Sequence, residues 1–229
     1  MNNVKKSIGW CDYTINPVKG ICPVGCSYCY ARAMYKRFKM DKTIRYDPSV
    51  FLLMTDSPKR IFVGSTIDLF HPHVSLWNDD IFRICRCHPD ITFIFLTKVP
   101  ERLSLWSPFP DNCWVGASCT NQWQFTVAAD YLAGVKALVK FISFEPLLGQ
   151  IDYGGTCWQE FSMSGINWVI IGQRTPVRKS TAPKLEWIQD IVEAADMVDI
   201  PVFLKNNLAD SVIPNDPLNE GLRQEFPDA

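Results

Sequence analysis

The sequence has no run of about 18 consecutive apolar residues, so it predicts no membrane-spanning helix. Its start, Met1-Asn2-Asn3-Val4-Lys5-Lys6, lacks the apolar stretch of a signal peptide. A cytoplasmic protein without a membrane partner is the expectation. Net charge is almost missing too: 23 Lys and Arg face 24 Asp and Glu, for a charge of −1 and a pI near 6.3. Such a chain has no global field to draw it to nucleic acid, which leaves only local basic patches for that purpose. No G-x-G-x-x-G turn follows the first apolar segment, and this argues against a dinucleotide-binding sheet. Internal repeats, low-complexity tracts and linkers are likewise missing, so a single domain over residues 1–229 is expected.

What is present is core-forming material, 47% hydrophobic and 13% aromatic. Residues 8–18 contain a weak first strand ahead of the Asn16-Pro17 turn. Ala31, Met34, Tyr35 and Phe38 recur at helical spacing and predict three helical turns, with Arg32, Lys36, Arg37 and Lys39 on the other face. Apolar runs at 61–64, 91–96, 113–118, 138–143, 168–172 and 201–204 read as strands, the first of them buried on both faces. Between them lie amphipathic helices: 76–87 with Trp77, Ile81, Ile84 and Cys85; a short one at 101–105; and 122–132 with Trp123, Val127 and Tyr131. A last helix carries Leu185, Ile188, Ile191, Val192 and Ala195. Gly154, Gly155 and Gly165 mark a long irregular connection, and the Pro-containing tail after Asn207, with Pro214, Pro217 and Pro227, reads as irregular.

Strands alternating with helices predict βαβ units and an α/β fold, a partial parallel (β/α) barrel of about six to seven units. Nearly every apolar run is followed by small polar or charged residues: Ser65, Thr66 and Asp68; Thr97 and Lys98; Ser118, Cys119 and Thr120; Ser143 and Glu145; Gln173 and Arg174; Lys205, Asn206 and Asn207. In a parallel barrel these ends share the rim where catalytic groups are placed, although any loop is wet.

Nine cysteines in a chain of this kind read as metal ligands or free thiols rather than a disulfide framework. Three of them, Cys22, Cys26 and Cys29, lie in C-x3-C-x2-C spacing on one short loop. Two readings stay open at this level. Such a loop can hold three irons of an iron–sulfur cluster and leave a fourth open, or it can contribute to a closed zinc site completed by Cys11, His71, His73 or His88. His71-Pro72-His73 alone has no third ligand nearby, and reads as a substrate contact or a plain loop.

The spacing, with Tyr28 before the last cysteine and a helix after it, resembles the cluster loop of the radical S-adenosylmethionine superfamily. The runs 10–30, 141–149, 168–172 and 201–205 are similar to a branch first noted among bacteriophage proteins. The resemblance implies a [4Fe–4S] cluster on Cys22, Cys26 and Cys29, with S-adenosylmethionine chelating the fourth iron through its amino and carboxylate groups. One-electron cleavage of the sulfonium would then start hydrogen abstraction from a small-molecule or nucleotide substrate. Tyr28 belongs to that cofactor region, and where the family has Gly-Gly-Glu this chain has Gly64-Ser65-Thr66, with Asp68 as a further candidate. Ser118, Ser143 and Glu145 fall where the family meets ribose and carboxylate, and Gly172 ends the sixth strand. Cys119 is a candidate hydrogen-atom donor, with an ordinary buried thiol as the plainer reading. Lys98 and Lys205, each closing a strand, are candidate carboxylate or phosphate contacts, with a solvated strand terminus as the equal alternative for each. The basic cluster Lys36, Arg37, Lys39, Lys42 and Arg45 reads as a solvated helix face or a docking surface for an acidic electron donor, flavodoxin- or ferredoxin-like, more economically than as a nucleic-acid site. Alternatives from other classes are a nucleic-acid lyase or modifying enzyme and a non-catalytic cluster- or metal-binding module.

Overall fold

The computed structural model describes residues 1–5, 8–54, 59–151, 155–209, 212 and 222–228. It is a mixed α/β fold that divides into two compact units, Met1–Val115 with Lys136–Leu138, and Gly116–Val135 with Val139–Ala229. Gly154, Pro214 and Pro217 lie outside the described residues.

In the first unit, β1 (Asn2–Asn3) runs antiparallel to β2 (Tyr13–Ile15). A two-stranded ribbon of β3 (Val18–Lys19) and β4 (Arg45–Tyr46) flanks the cysteine loop and the helix α1 (Tyr30–Arg37). Then come β5 (Lys59–Val63), α2 (Asn78–Arg86) and β6 (Ile91–Thr97), with β2 parallel to β5 and β5 parallel to β6. The β-branched and aromatic run of β6 buries Phe93, Ile94 and Phe95, and Phe70 meets Phe82, Phe95, Trp106 and Phe109 in one aromatic cluster. β5 departs from the expectation of burial on both faces: Ile61 and Val63 are buried, while Phe62 is half-buried against Trp10.

The expected three-turn helix is shorter. α1 has 8 residues and buries only Ala31 and Tyr35, with Met34 and Phe38 exposed. The chain leaves the helix at Phe38 and turns through Lys39 at φ 49°, which ends the apolar stripe after two turns.

Across the ribbon, Lys19 pairs with Asp47. The Lys19 ammonium, helped by the Ser49 hydroxyl, holds the Asp47 carboxyl down to about 2. Its stabilisation is therefore present above the ordinary carboxylate range and lost as pH falls toward that value. NMR titration is expected to place the Asp47 midpoint near 2 in the native chain and to move it upward in Lys19→Met. A midpoint unaffected by the substitution would refute the pairing.

β7 (Cys113–Ser118), found as expected, carries the chain from the first unit into the second. There follow α3 (Gln122–Ala133), β8 (Lys140–Phe144), α4 (Cys157–Ser164), β9 (Trp168–Ile171), α5 (Leu185–Asp196) and β10 (Val202–Leu204). β8, β9 and β10 are parallel neighbours in that order. α3 turns a different face inward from the one its aromatic spacing suggests. Phe125, Ala128, Ala129 and Leu132 are buried, and Trp123 is 73% exposed. Small alanines let the helix sit close, and Phe125 packs against Phe144 and Phe161.

α4 corrects the expected irregular connection. Gly165 is not a loop marker but a left-handed helix stop at φ 65°, with its N–H returning to Phe161 and Ser162 carbonyls. The Lys140 ammonium donates to the carbonyls of Leu132 and Ser164 at 2.9 and 2.6 Å, so one side chain satisfies the last turns of both α3 and α4. Lys140→Met is expected to lower stability by about 1–3 kcal/mol in urea unfolding, because both carbonyls lose a charged donor. No change in the midpoint would contradict this role.

The tail is also more regular than expected. Leu204 N–H donates to Arg223 O, Glu225 N–H donates to Val202 O, and Gln224 bridges Phe203 in antiparallel sense. Phe226 packs against Trp168 in a tilted contact and against Phe203 edge-on.

Candidate functional site

The loop from Cys22 to Cys29 leads from the β3 region into α1, and all three thiols are half-buried. Cys29 is the N-cap of α1, its sulfur accepting from Arg32 N–H at 3.5 Å. Arg32 also reaches back to the Cys22 carbonyl at 2.7 Å, which closes the loop on itself. Gly25 turns it at φ 76°, a conformation that favours glycine. The Cys22 sulfur accepts from Asp68 N–H at 3.5 Å. Burial pushes the Cys22 thiol up, the N–H groups of Asp68 and Val24 oppose that, and the Asp68 carboxylate and Cys29 add to it.

Among the described residues no group of three or more His, Cys, Asp or Glu converges on a single metal ion. A cubane cluster makes a different demand, since each thiolate binds its own iron and the sulfurs stay apart. Three thiols spread along one loop, two of them accepting main-chain N–H groups, fit that demand better than closed zinc coordination. The proposed zinc completers are placed otherwise: Cys11 is fully buried, His88 contacts the Ile84 carbonyl through Nδ1, and His71 sits against His73. Burial and the neighbouring His73 hold His71 below its ordinary range.

Gly64 follows β5 at φ 82°, and a Cβ there would meet the Leu69 side chain at 2.7 Å, so the turn requires glycine. Asn16 organises the next two residues. Its Oδ1 accepts from Thr66 N–H and from the hydroxyls of Thr66 and Ser65 at 3.1–3.3 Å, and the Tyr30 hydroxyl donates to Ser65 O at 2.9 Å. The expected Gly64-Ser65-Thr66 segment is thus tied to the end of β2 and to the first residue of α1. Sequence reasoning took Asn16 only as a turn residue ahead of Pro17; its position just beyond a strand end was the available signal.

Asp68 is 8% exposed. Oδ1 accepts from Thr97 Oγ1 and Phe70 N–H, and Oδ2 accepts from Lys98 N–H, at 2.7–3.1 Å. Burial holds its carboxyl above the ordinary range, opposed by those donors. Its carboxylate therefore fastens the end of β6 instead of standing open. The Lys98 ammonium lies 5.4 Å from the Tyr28 ring centroid, a cation–π contact inside the cysteine loop.

In the second unit, Ser118 donates to the Glu145 carbonyl at 2.9 Å, and the Glu145 carboxylate pairs with Lys205. Gly172 is closely covered by Lys205, whose Cδ would lie 2.8 Å from a Cβ there. Ser143 is fully buried, and its hydroxyl has no protein partner among the described residues. Cys119 is 1% exposed with its thiol donating to the Gln124 carbonyl at 3.4 Å, which is the setting of a buried thiol. Of the other five cysteines outside the loop, Cys11, Cys85, Cys113 and Cys157 are buried and Cys87 is exposed.

In the basic segment, Arg45 is paired with Asp41, which leaves Lys36, Arg37, Lys39 and Lys42 exposed in the first unit. No helix among the described residues is long and apolar enough to cross a membrane.

A mutant of spore photoproduct lyase has a similar fold, with a TM-score of 0.61 and 13% identity over 89% of this chain and 78% of that one. No curated protein matches the sequence. The family described as "Protein of unknown function (DUF5131)" matches residues 5–210, nearly the whole chain. The chain therefore belongs to that family.

Proposed function

We propose that this chain is a radical S-adenosylmethionine enzyme built on a partial parallel (β/α) barrel, with Cys22, Cys26 and Cys29 as ligands of a [4Fe–4S] cluster. The observation that carries the reading is the loop itself: three half-buried thiols between a strand and a capped helix, two accepting main-chain N–H groups. The fold likeness to spore photoproduct lyase, a radical S-adenosylmethionine enzyme, supports it. Such a cluster, when bound, supplies the electron that cleaves the sulfonium of S-adenosylmethionine.

The chain's own residues then have distinct tasks. Arg32 and Asp68 N–H hold the loop in shape, and Asn16 and Tyr30 fix the Gly64-Ser65-Thr66 segment that would receive the methionine end of the cofactor. Asp68 is a positioning residue. Lys98 holds Tyr28 in place within the loop. The substrate is a small molecule or nucleotide, and the reductant is an acidic flavodoxin- or ferredoxin-like protein that approaches Lys36, Arg37, Lys39 and Lys42. Unchanged reduction rates after neutralising Lys36, Arg37 and Lys39 would exclude that approach.

The deciding experiment is anaerobic reconstitution with iron and sulfide, reduction with dithionite, and assay for 5′-deoxyadenosine. Formation of 5′-deoxyadenosine is expected. Zinc uptake in place of iron, or a stable cluster that never cleaves S-adenosylmethionine, would overturn the reading.

A further inference from the structure

At the ends of β8, β9 and β10, where the neighbouring residues Phe144, Ile171 and Leu204 are fully or almost fully buried and apolar, the chain places an ion pair. The side chains of Lys205 and Glu145 are only 9% and 23% exposed. Desolvating two charges offsets most of their attraction, and apolar side chains of similar volume would hold these strand ends as well. Stability alone therefore gives little reason for the pair.

The surroundings nevertheless fix it closely. Lys205 N–H is held by Ile171 O at 2.9 Å, and its side chain crosses Gly172, where a Cβ would clash with it. Glu145 is fixed through its own carbonyl by the Ser118 hydroxyl. The hydroxyl of Ser143, two positions before Glu145, is buried without a protein partner among the described residues.

The valences left over define what the pair can bind. Lys205 Nζ bonds to Glu145 Oε1 alone, so two of its N–H donors remain, and Glu145 Oε2 has no protein hydrogen bond among the described residues. An acceptor thus stands beside donors on a pair of zero net charge. A phosphate or carboxylate approaching Lys205 would also face the Glu145 carboxylate, so the pair suits a neutral ligand better than an anion. A trans peptide bond points its N–H and C=O in opposite directions and cannot match both groups. A cis-amide edge, with N–H and C=O side by side, can.

We propose that Glu145 and Lys205 form a ligand-reading pair for a neutral cis-amide edge, the group displayed by nucleobase lactams. Glu145 Oε2 accepts the ligand N–H, and Lys205 Nζ donates to the adjacent carbonyl oxygen. The pairing involves no cluster, so it is tested on the iron-free chain and stands or falls separately from the radical reading.

The probes are uridine and 3-methyluridine, in which a methyl group replaces the N–H, titrated by calorimetry and ligand-observed NMR. Uridine is expected to bind at least about tenfold more tightly than 3-methyluridine, the penalty for losing one charge-assisted hydrogen bond. Glu145→Gln keeps a bond to Lys205 through its carboxamide oxygen but turns an N–H toward the ligand, so the preference for uridine should disappear. Lys205→Met should weaken uridine by at least about tenfold. A purely structural pair would shift the melting temperature of both variants and leave the ratio of the two affinities alone. If Lys205→Met does not fold, Glu145→Gln decides. No saturable uridine binding to the native chain, or a preference for uridine that survives Glu145→Gln, overturns the proposal.

Discussion

Replacing Cys22, Cys26 and Cys29 together by Ala is expected to leave a folded chain that takes up no iron. The native chain, reconstituted in parallel, should hold about four irons with the matching sulfide. Folding should survive because the three sulfurs are half-buried and the loop keeps its other ties, from Arg32 to the Cys22 carbonyl and through Gly25. The structural losses are the Cys29 cap on α1, about 0.5–2 kcal/mol for removal of an N-cap acceptor, and the Cys22 sulfur as acceptor for Asp68 N–H. Circular dichroism and melting would thus change little, while iron content and 5′-deoxyadenosine formation fall to background. Cys85→Ala, far from the loop in sequence and fully buried, is the control that should retain iron. Iron retained at native level in the triple variant would remove the loop from the metal site.

The second large effect falls on Asp68. Its two oxygens receive three donors, Thr97 Oγ1 and Phe70 N–H on one, Lys98 N–H on the other. Asp68→Asn keeps the shape but offers a single acceptor oxygen, so its amide nitrogen must face a buried donor. The expected loss is about 2–4 kcal/mol in chemical denaturation, the sum of a lost charge-assisted bond and an unsatisfied group. The pH dependence has a definite sign. Burial raises the folded carboxyl above its unfolded value, so the native chain takes up this proton at higher pH than the unfolded chain. Between the raised value and the ordinary carboxylate range, acidification favours the native Asp68 chain and not the Asn variant. The gap between them should widen as pH falls, and a gap that narrows would show that burial is not the dominant influence.

Much of the frame was legible in the sequence because local pattern and final burial agree there. β7 runs over the residues its apolar run marks, and β6 and α5 lie within a residue or two of their patterns. Patterns failed where two faces competed. In α3 the large residues Trp123 and Tyr131 outweigh the alanines on paper, yet alanine is what permits close packing, and only the packed partners Phe144 and Phe161 reveal which face wins. α4 was hidden because Gly165 serves as a helix stop and reads like a loop residue.

The site divides in the same way. The cysteine spacing is contiguous and was plain. Asn16, Thr97 and the pairing of Glu145 with Lys205 act across 49, 29 and 60 positions of chain, and no local rule connects residues so far apart.

The segment 222–228 has a consequence for self-association. A strand at the margin of a sheet offers unpaired N–H and C=O groups to any other chain. Here Arg223 and Glu225 occupy the main-chain groups of Leu204 and Val202, and Phe226 anchors the segment on Trp168 and Phe203. The segment lies beyond residue 210, where the family match ends. Those groups of β10 are consequently closed to strand addition by a second copy.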